Sequence, residues 1–505
     1  MRLASWAARL ELEAVPDRVA AFARSQVLSQ LAAARAALGH ELGQGVVRAF
    51  GPPLQDDPKR SAYVLAALTA ALDFDDTLYA GHVSHSTVNV PLAYAGALGL
   101  DGRAVLTATL AANECAARVT AAATLGPFRG QTAAHAHLAG AAAARLRAEG
   151  APVETWVDAL GIAFAAPPWS LERAFLGSDA KVLTAATPVM TALDACDAAR
   201  AGLRGAADVL EHDDGFLARF AAVPLPEAVV AGLGERWHTE TASLKLYPGS
   251  AYVDACVDCA IDLHGRLGAP DAADVEEVVV HASLLTVALQ SRTEPYLEGP
   301  GTPAVALTFS VPYNVATALL TGRLGPDDLS PPRVRDPGRW EVAARVRLEH
   351  DERLTRRAAL ATAPLGEALR EAGPRAADWL RAAAGERAAD LTDALEGGPS
   401  PGFEEADKAI GARVEVRMAD GRRLEASREI ALGAAGPDTR ARHGELMREK
   451  LIGTGASPDA VDALEALDRL SPDELREALR EALRVSPAGR PAPRARAPRP
   501  ARPRP

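Results

Sequence analysis

An apolar run of helical composition, Ser61 to Leu72, passes directly into Asp73-Phe74-Asp75-Asp76-Thr77-Leu78-Tyr79-Ala80-Gly81-His82-Val83-Ser84-His85. Three carboxylates, a threonine hydroxyl and two imidazoles thus fall just past a helix end. The last turn of a helix leaves carbonyls unpaired, and its dipole disfavours acids there. Local conflict of this kind tends to mark function. A carboxylate beside an imidazole fixes the ring's tautomer and raises its basicity, as acid–base chemistry requires. The bland alternative is a solvated acidic loop, and the density of proton-handling groups favours a site.

Asp73, Asp75 and Thr77 also spell D-x-D-x-T, as in phosphatases of the haloacid dehalogenase type. That chemistry projects two carboxylates from a strand end toward Mg²⁺. The residues before Asp73 are mainly Ala and Leu, which favour a helix, and no later acidic pair completes a metal site. A Mg²⁺-dependent phosphatase is therefore a remote alternative.

The rest of the first half also reads as helix, with Val19-Ala20, Phe22-Ala23, Val27-Leu28 and Leu31 at helical spacing. Further helices are expected over Pro91–Leu100, Gly102–Ala123 and Ala133–Ala148, and on to about Leu233. Glu114 and Arg118, four residues apart, read as ordinary surface support. After Trp237 the pattern changes. Val275 to Val280 is β-branched, and Arg413–Met418, Asp420-Gly421 and Arg423–Glu425 predict a hairpin. Helices are expected between them at Val311–Thr321 and Trp340–His350, and again from Ala441 to Arg484, with Ser471-Pro472-Asp473-Glu474 a good start signal. The expected fold is mostly α: a large all-helical domain (1–238 and 437–485) with an inserted smaller α+β lid domain (239–436). Residues 486–505, with six arginines, seven prolines and no acid, are expected to be a disordered tail.

The net charge of −11 includes that basic tail, so the body is more acidic still and a nucleic-acid partner is not expected. No window is long and apolar enough for a membrane span, and the first residues lack a signal-peptide layout, so a cytoplasmic protein is expected. Cys256 and Cys259 form a C-x-x-C with no second pair; they read as two small semi-buried side chains. Only five of the 55 basic residues are lysine: Lys59, Lys181, Lys245, Lys408 and Lys450. Where arginine is the default cation, a retained lysine is a candidate for a position arginine cannot fill, because lysine alone readily gives up its proton when buried. Lys245 sits in an apolar setting at the junction of the two regions. It reads equally well as a site group or a snorkelling side chain.

Together these segments resemble the MmgE/PrpD family, which includes 2-methylcitrate dehydratases and cis-aconitate decarboxylases. Ala71–Thr77 is similar to its A-x-D-F-D-D-T signature, His85-Ser86 to its H-P-S, and Glu114–Arg118 to its E-x-x-x-R helix. Leu244-Lys245-Leu246-Tyr247-Pro248, Phe309-Ser310-Val311-Pro312-Tyr313 and Asp420-Gly421-Arg422 resemble three further motifs, all in the family's order. The resemblance implies an active site between helical domain and lid, a homodimer, and chemistry on a small carboxylate without metal or cofactor. It assigns catalytic roles to Asp73, Thr77, His85 and Lys245, and substrate contacts to His82, Gln131, Thr132, Thr191, Tyr247 and Ser310. Gln131 stands where the family has a histidine, with His135 and His137 nearby. Thr191 stands where decarboxylase-type members have a second lysine, and an insertion after Thr77 leaves both His82 and His85 open as the catalytic imidazole. The expected function is a cofactor-independent lyase or isomerase with altered specificity. The runner-up is a catalytically impaired member that binds a small molecule.

Overall fold

The structure, a computed structural model, describes residues 1–79, 81–126, 130–131 and 134–485, with the backbone alone at 130 and 131. The chain is mostly α, with a smaller α+β part. Alanine-rich helices pack closely because small side chains let backbones approach. Helix Gly102–Ala123 lies along Ala134–Ala148, which packs in turn on Leu183–Arg200. Pro58–Ala70 runs beside Leu183–Arg200. Helix Asp17–Gly39 is met by Pro437–Gly453 from the far end of the chain, and Leu446, Met447 and Leu451 enter the same core as Val27 and Leu31. The last helices therefore close the first bundle. Residues 363–406 also contribute to this core through Ala368, Leu369 and Phe403.

A second core forms around a sheet of four strands in the order Val346–His350, Val275–Ala282, Ala412–Met418, Arg423–Arg428. The first pair is parallel and the others antiparallel. Helices Asp254–Leu267 and Val311–Thr321 cover the sheet's inner face. The D-G hairpin forms as expected, with Gly421 at φ 87. Trp340–His350, expected as one helix, is instead a helix Pro337–Ala343 followed by the strand Val346–His350. Val346 and Leu348 alternate with Arg347 and Glu349, and pairing with Val278–Ala282 selects that period of two.

Glu114 and Arg118 are not surface support. Both are fully buried. Glu114 accepts from the backbone N–H groups of His238 and Thr239 and from the Thr239 hydroxyl. Arg118 donates to the carbonyls of Ala231, Gly232 and Arg236. A pair worth a few tenths of a kcal/mol in water becomes an anchor, since removing either partner would strand buried polar groups. It fixes the segment that leads into the strand Ala242–Leu244.

That strand is also held from behind. Leu244 donates its N–H to the Gly433 carbonyl at 2.7 Å, and a Cβ on Gly433 (φ 78) would lie 2.0 Å from the Leu244 carbonyl oxygen. Gly421→Ala, where a Cβ meets nothing within 4 Å, should lose only the left-handed backbone cost of roughly 1–2 kcal/mol. Gly433→Ala must also displace the backbone next to Lys245 and should lose about 3 kcal/mol or more in urea unfolding. Equal losses in the two variants would refute this account of the strand.

Candidate active site

Past Ala70 the chain tightens through Ala71–Asp73, with Asp73 in the left-handed region at φ 53, and enters the short strand Asp76–Leu78. This strand pairs antiparallel with Ala242–Leu244, Asp76 opposite Leu244 and Thr77 opposite Ser243. One step further Lys245 donates its N–H to the Asp75 carbonyl. This two-strand ladder brings together side chains 170 and 172 positions apart. The Lys245 ammonium lies 2.7 Å from Asp73 Oδ1, 3.0 Å from the Asp73 carbonyl and 3.1 Å from Asp75 Oδ1, at 1% exposure.

The helix-end conflict is resolved by ammonium groups. Lys181 donates to the Ala70 carbonyl at 3.1 Å, Lys245 to that of Asp73 and Lys450 to that of Phe74 at 2.7 Å. The first of these, on the helix's last carbonyl, offsets the dipole's negative end, and the other two hold the turn that follows. Four of the five lysines converge here, because Lys408 donates to the Thr77 hydroxyl at 2.7 Å; Lys59 alone sits apart, on Asp194 and Asp197. Sequence reasoning raised lysine scarcity but carried only Lys245 into the site. The same signal pointed to Lys181, Lys408 and Lys450.

Asp75 is the hub for the imidazoles. His82 Nδ1 lies 2.7 Å from Asp75 Oδ2, and because an ionised carboxylate only accepts, that nitrogen carries the proton. His85 Nε2 is 3.3 Å from the same oxygen, and the two rings stack. Both His85 nitrogens are engaged, since Nδ1 meets the Thr69 hydroxyl at 2.9 Å. His82 Nε2 has no hydrogen-bond partner among the described residues, and His82 is the more exposed ring, at 16%. Burial pushes the His85 imidazole down to about 3, against the pull of Asp75, so it stays neutral. Burial also opposes ionisation of the carboxyls. His82, Lys245 and His85 nonetheless hold Asp75 well below the usual range, and Lys181, Lys245 and His82 hold Asp73 below it. Burial works against the Lys245 charge too, but Asp73 and Asp75 raise its pKa above that of a free lysine. Lys181, whose burial outweighs its one carboxylate at 3.6 Å, shifts downward.

Asp73, His82, His85, His137, Lys181 and Thr184 line a small cavity of about 20 Å³, room for little more than a water. A larger cleft of about 810 Å³ opens between helix Glu41–Phe50 and the loops around Thr302 and Arg335. It contains none of these groups, although Asp179 and Val182, which flank Lys181 in sequence, lie on its wall. Asp75, His82 and His85 each offer one ligand atom within 4.8 Å of the others, a set that could hold a metal ion. The Lys245 ammonium on the other oxygen of Asp75, and Lys181 beside Asp73, oppose a divalent cation at that point. The phosphatase arrangement also lacks its strand, because Asp73 follows a helix.

The remaining sequence candidates divide. Thr77 is close by, but its hydroxyl is held by Lys408 and does not face the cavity. Tyr247 donates to Asp258 at 2.8 Å beside the sheet core, and Ser310 caps helix Val311–Thr321 by accepting from the Tyr313 N–H. Thr191 is not brought to the site. Its hydroxyl bonds to the Thr187 carbonyl of its own helix, while Lys181, ten residues earlier, lines the cavity. Gln131 pairs through its backbone with Ser170, and its side chain, Thr132 and the 486–505 tail lie outside the described residues. Of the two neighbouring histidines, His135 packs among Phe216 and Phe220, while His137 lines the cavity 5.7 Å from the His85 ring.

No curated protein matches the chain closely enough to count as a relative. The MmgE/PrpD N-terminal domain matches residues 1–227 and the MmgE/PrpD C-terminal domain matches residues 247–395. Members of that family are generally lyases of the dehydratase type. With both domains matched over most of its length, the chain belongs to the MmgE/PrpD family.

Proposed function

We propose that this protein is a cofactor-independent lyase or isomerase that moves a proton next to a carboxylate of a small acid, with His82 as the exchanging imidazole and Lys181 as the group that grips the substrate. The observation that carries this reading is the His82–Asp75 contact of 2.7 Å on a cavity that also holds Lys181. Asp75 keeps the proton on Nδ1 and stabilises the imidazolium, leaving Nε2 to accept a proton from carbon. The electron pair left behind passes into the adjacent carboxylate, where the Lys181 ammonium stabilises the growing charge. Departure of a β-hydroxyl, which takes up a proton to leave as water, completes a dehydration. Return of the proton to the opposite face completes an isomerisation. In a decarboxylation the order reverses: CO₂ leaves first and the imidazolium protonates the carbanion. Lys245 is already saturated by two carboxylates and one carbonyl, so its part is to hold Asp73 and Asp75 in place. A homodimer and a cytoplasmic location belong to the same reading. A substrate larger than this cavity requires side chains among residues 70–185, which line it, to move apart.

Exchange of solvent deuterium into the carbon next to the carboxylate, followed by NMR over a panel of small di- and tricarboxylic acids, tests the reaction class. Binding without exchange across the panel would favour the binding-protein reading. His82→Gln should lower exchange by roughly 10²–10⁴-fold with affinity retained, while His85→Gln should lose less. The reverse order would transfer the role to His85. Lys245→Arg should keep the fold yet reduce turnover by about 100-fold, because a planar guanidinium cannot replace a point charge between three oxygens. Wild-type turnover in that variant would remove Lys245 from the machinery.

A further inference from the structure

Lys245 also lines a second chamber, which shares no lining residue with the cavity holding His82 and Lys181. Its polar walls are Lys245, Ser243, Asp254 and Lys408, closed by Ala251 and Gly433. The space of about 10 Å³ is close to what a single water needs. Asp254 opens helix Asp254–Leu267 and is 6% exposed. Among the described residues no hydrogen bond reaches its carboxyl, although a buried carboxyl ordinarily has a partner. The charged groups around it come from every side. They are Lys245 at the end of the short ladder, Lys408 before the strand Ala412–Met418, Asp258 one turn along its own helix, and Asp73 beyond Lys245. Asp258 in turn is held by Tyr247, the Leu432 N–H and, at 3.9 Å, Arg428.

We propose that Asp254 is a positioning residue that acts through Lys245, joined to it and to Lys408 by one enclosed water, and that its charge state sets how firmly the front cavity holds an anion. Protonated, Asp254 leaves the Lys245 ammonium wholly to Asp73 and Asp75. Ionised, it competes for that ammonium and adds a negative charge behind the site, so Asp73 and Asp75 are less neutralised and an incoming carboxylate is repelled. Lys408 supplies the opposing charge and ties the chamber to the Asp76–Leu78 strand through Thr77. Burial, against the pull of Lys245, pushes the Asp254 carboxyl up to about 8, and burial brings the Lys408 ammonium down to about 8. The chamber therefore loses positive charge over one narrow range just above neutrality.

The inference rests on the reading of the front cavity as a carboxylate site, and two measurements keep the questions apart. Citrate binding to the full chain is measured calorimetrically between pH 6 and 9.5. Wild-type affinity should fall across pH 8 by about tenfold more than that of Asp254→Asn, the lower end of what one nearby charge does to another's equilibrium. Superimposable profiles would overturn the proposal. Asp254→Ser, which leaves room for water, carries the same comparison if the Asn variant does not fold. If citrate fails to bind at any pH, the front-cavity reading has failed and the chamber is judged on thermal unfolding. Between the ordinary aspartate pKa and about 8 the folded protein holds a proton that the unfolded chain has lost, so wild-type stability relative to Asp254→Asn must fall as pH rises to 8, then level off. A difference independent of pH would overturn the role of Asp254.

Discussion

A buried ammonium held by two buried carboxylates is the interaction on which the rest of this structure depends. Removing three charged groups from water costs several kcal/mol for each ion, and the cost is recovered only when geometry is good and the remaining donors and acceptors are filled. Lys245 meets that condition, with both carboxylates and the Asp73 carbonyl within 3.1 Å. His82 and His85 occupy the second oxygen of Asp75. Such an arrangement is poor as a source of stability and well suited to fixing geometry, since loss of any member leaves the others buried and unpaired.

The surrounding fold supplies what the cluster needs. The end of helix Pro58–Ala70 would repel Asp73 and Asp75 were it bare; Lys181 covers its last carbonyl, and Lys245 and Lys450 hold the carbonyls of Asp73 and Phe74 just beyond it. The Asp76–Leu78 and Ala242–Leu244 ladder sets the register, with the buried Glu114–Arg118 pair holding one approach and Gly433 the other. On the opposite side of Asp76, Gln26, Gln30 and Ser84 satisfy its carboxylate, so that acid serves the scaffold. The four lysines of this small region each donate to a different carbonyl or hydroxyl oxygen, a task that suits a compact ammonium better than the planar guanidinium that predominates elsewhere in the chain.

Much of this was legible in the order of residues. Helical and strand periods gave the architecture because burial of one face is a local property of sequence. Val311–Thr321 and the D-G hairpin follow directly from that property. The misreadings have a common cause. Glu114 and Arg118 match a surface pair in spacing, and only the chain folded over them makes them interior. The strand Val346–His350 was read as the continuation of a helix because its period is decided by a partner strand nearly 70 residues away. Thr191 lies outside the cavity's lining, whereas Lys181 reaches it from the turn before the Thr191 helix, a placement set by packing across the chain.

The sequence by itself determined which groups were available for chemistry: a run of acids after a helix, two nearby imidazoles, and lysines too rare to be incidental. Tertiary structure decided their states. It made His85 neutral by burying it and turned His82 toward the cavity, where no described residue bonds its Nε2. It also separated Thr77, Tyr247, Ser310 and Thr191 from the cavity's lining. The physical reason is that charge state and hydrogen-bond partners depend on desolvation and on distances across the chain. Neither is defined until Lys245 is paired with Asp75 through strands that lie far apart in sequence.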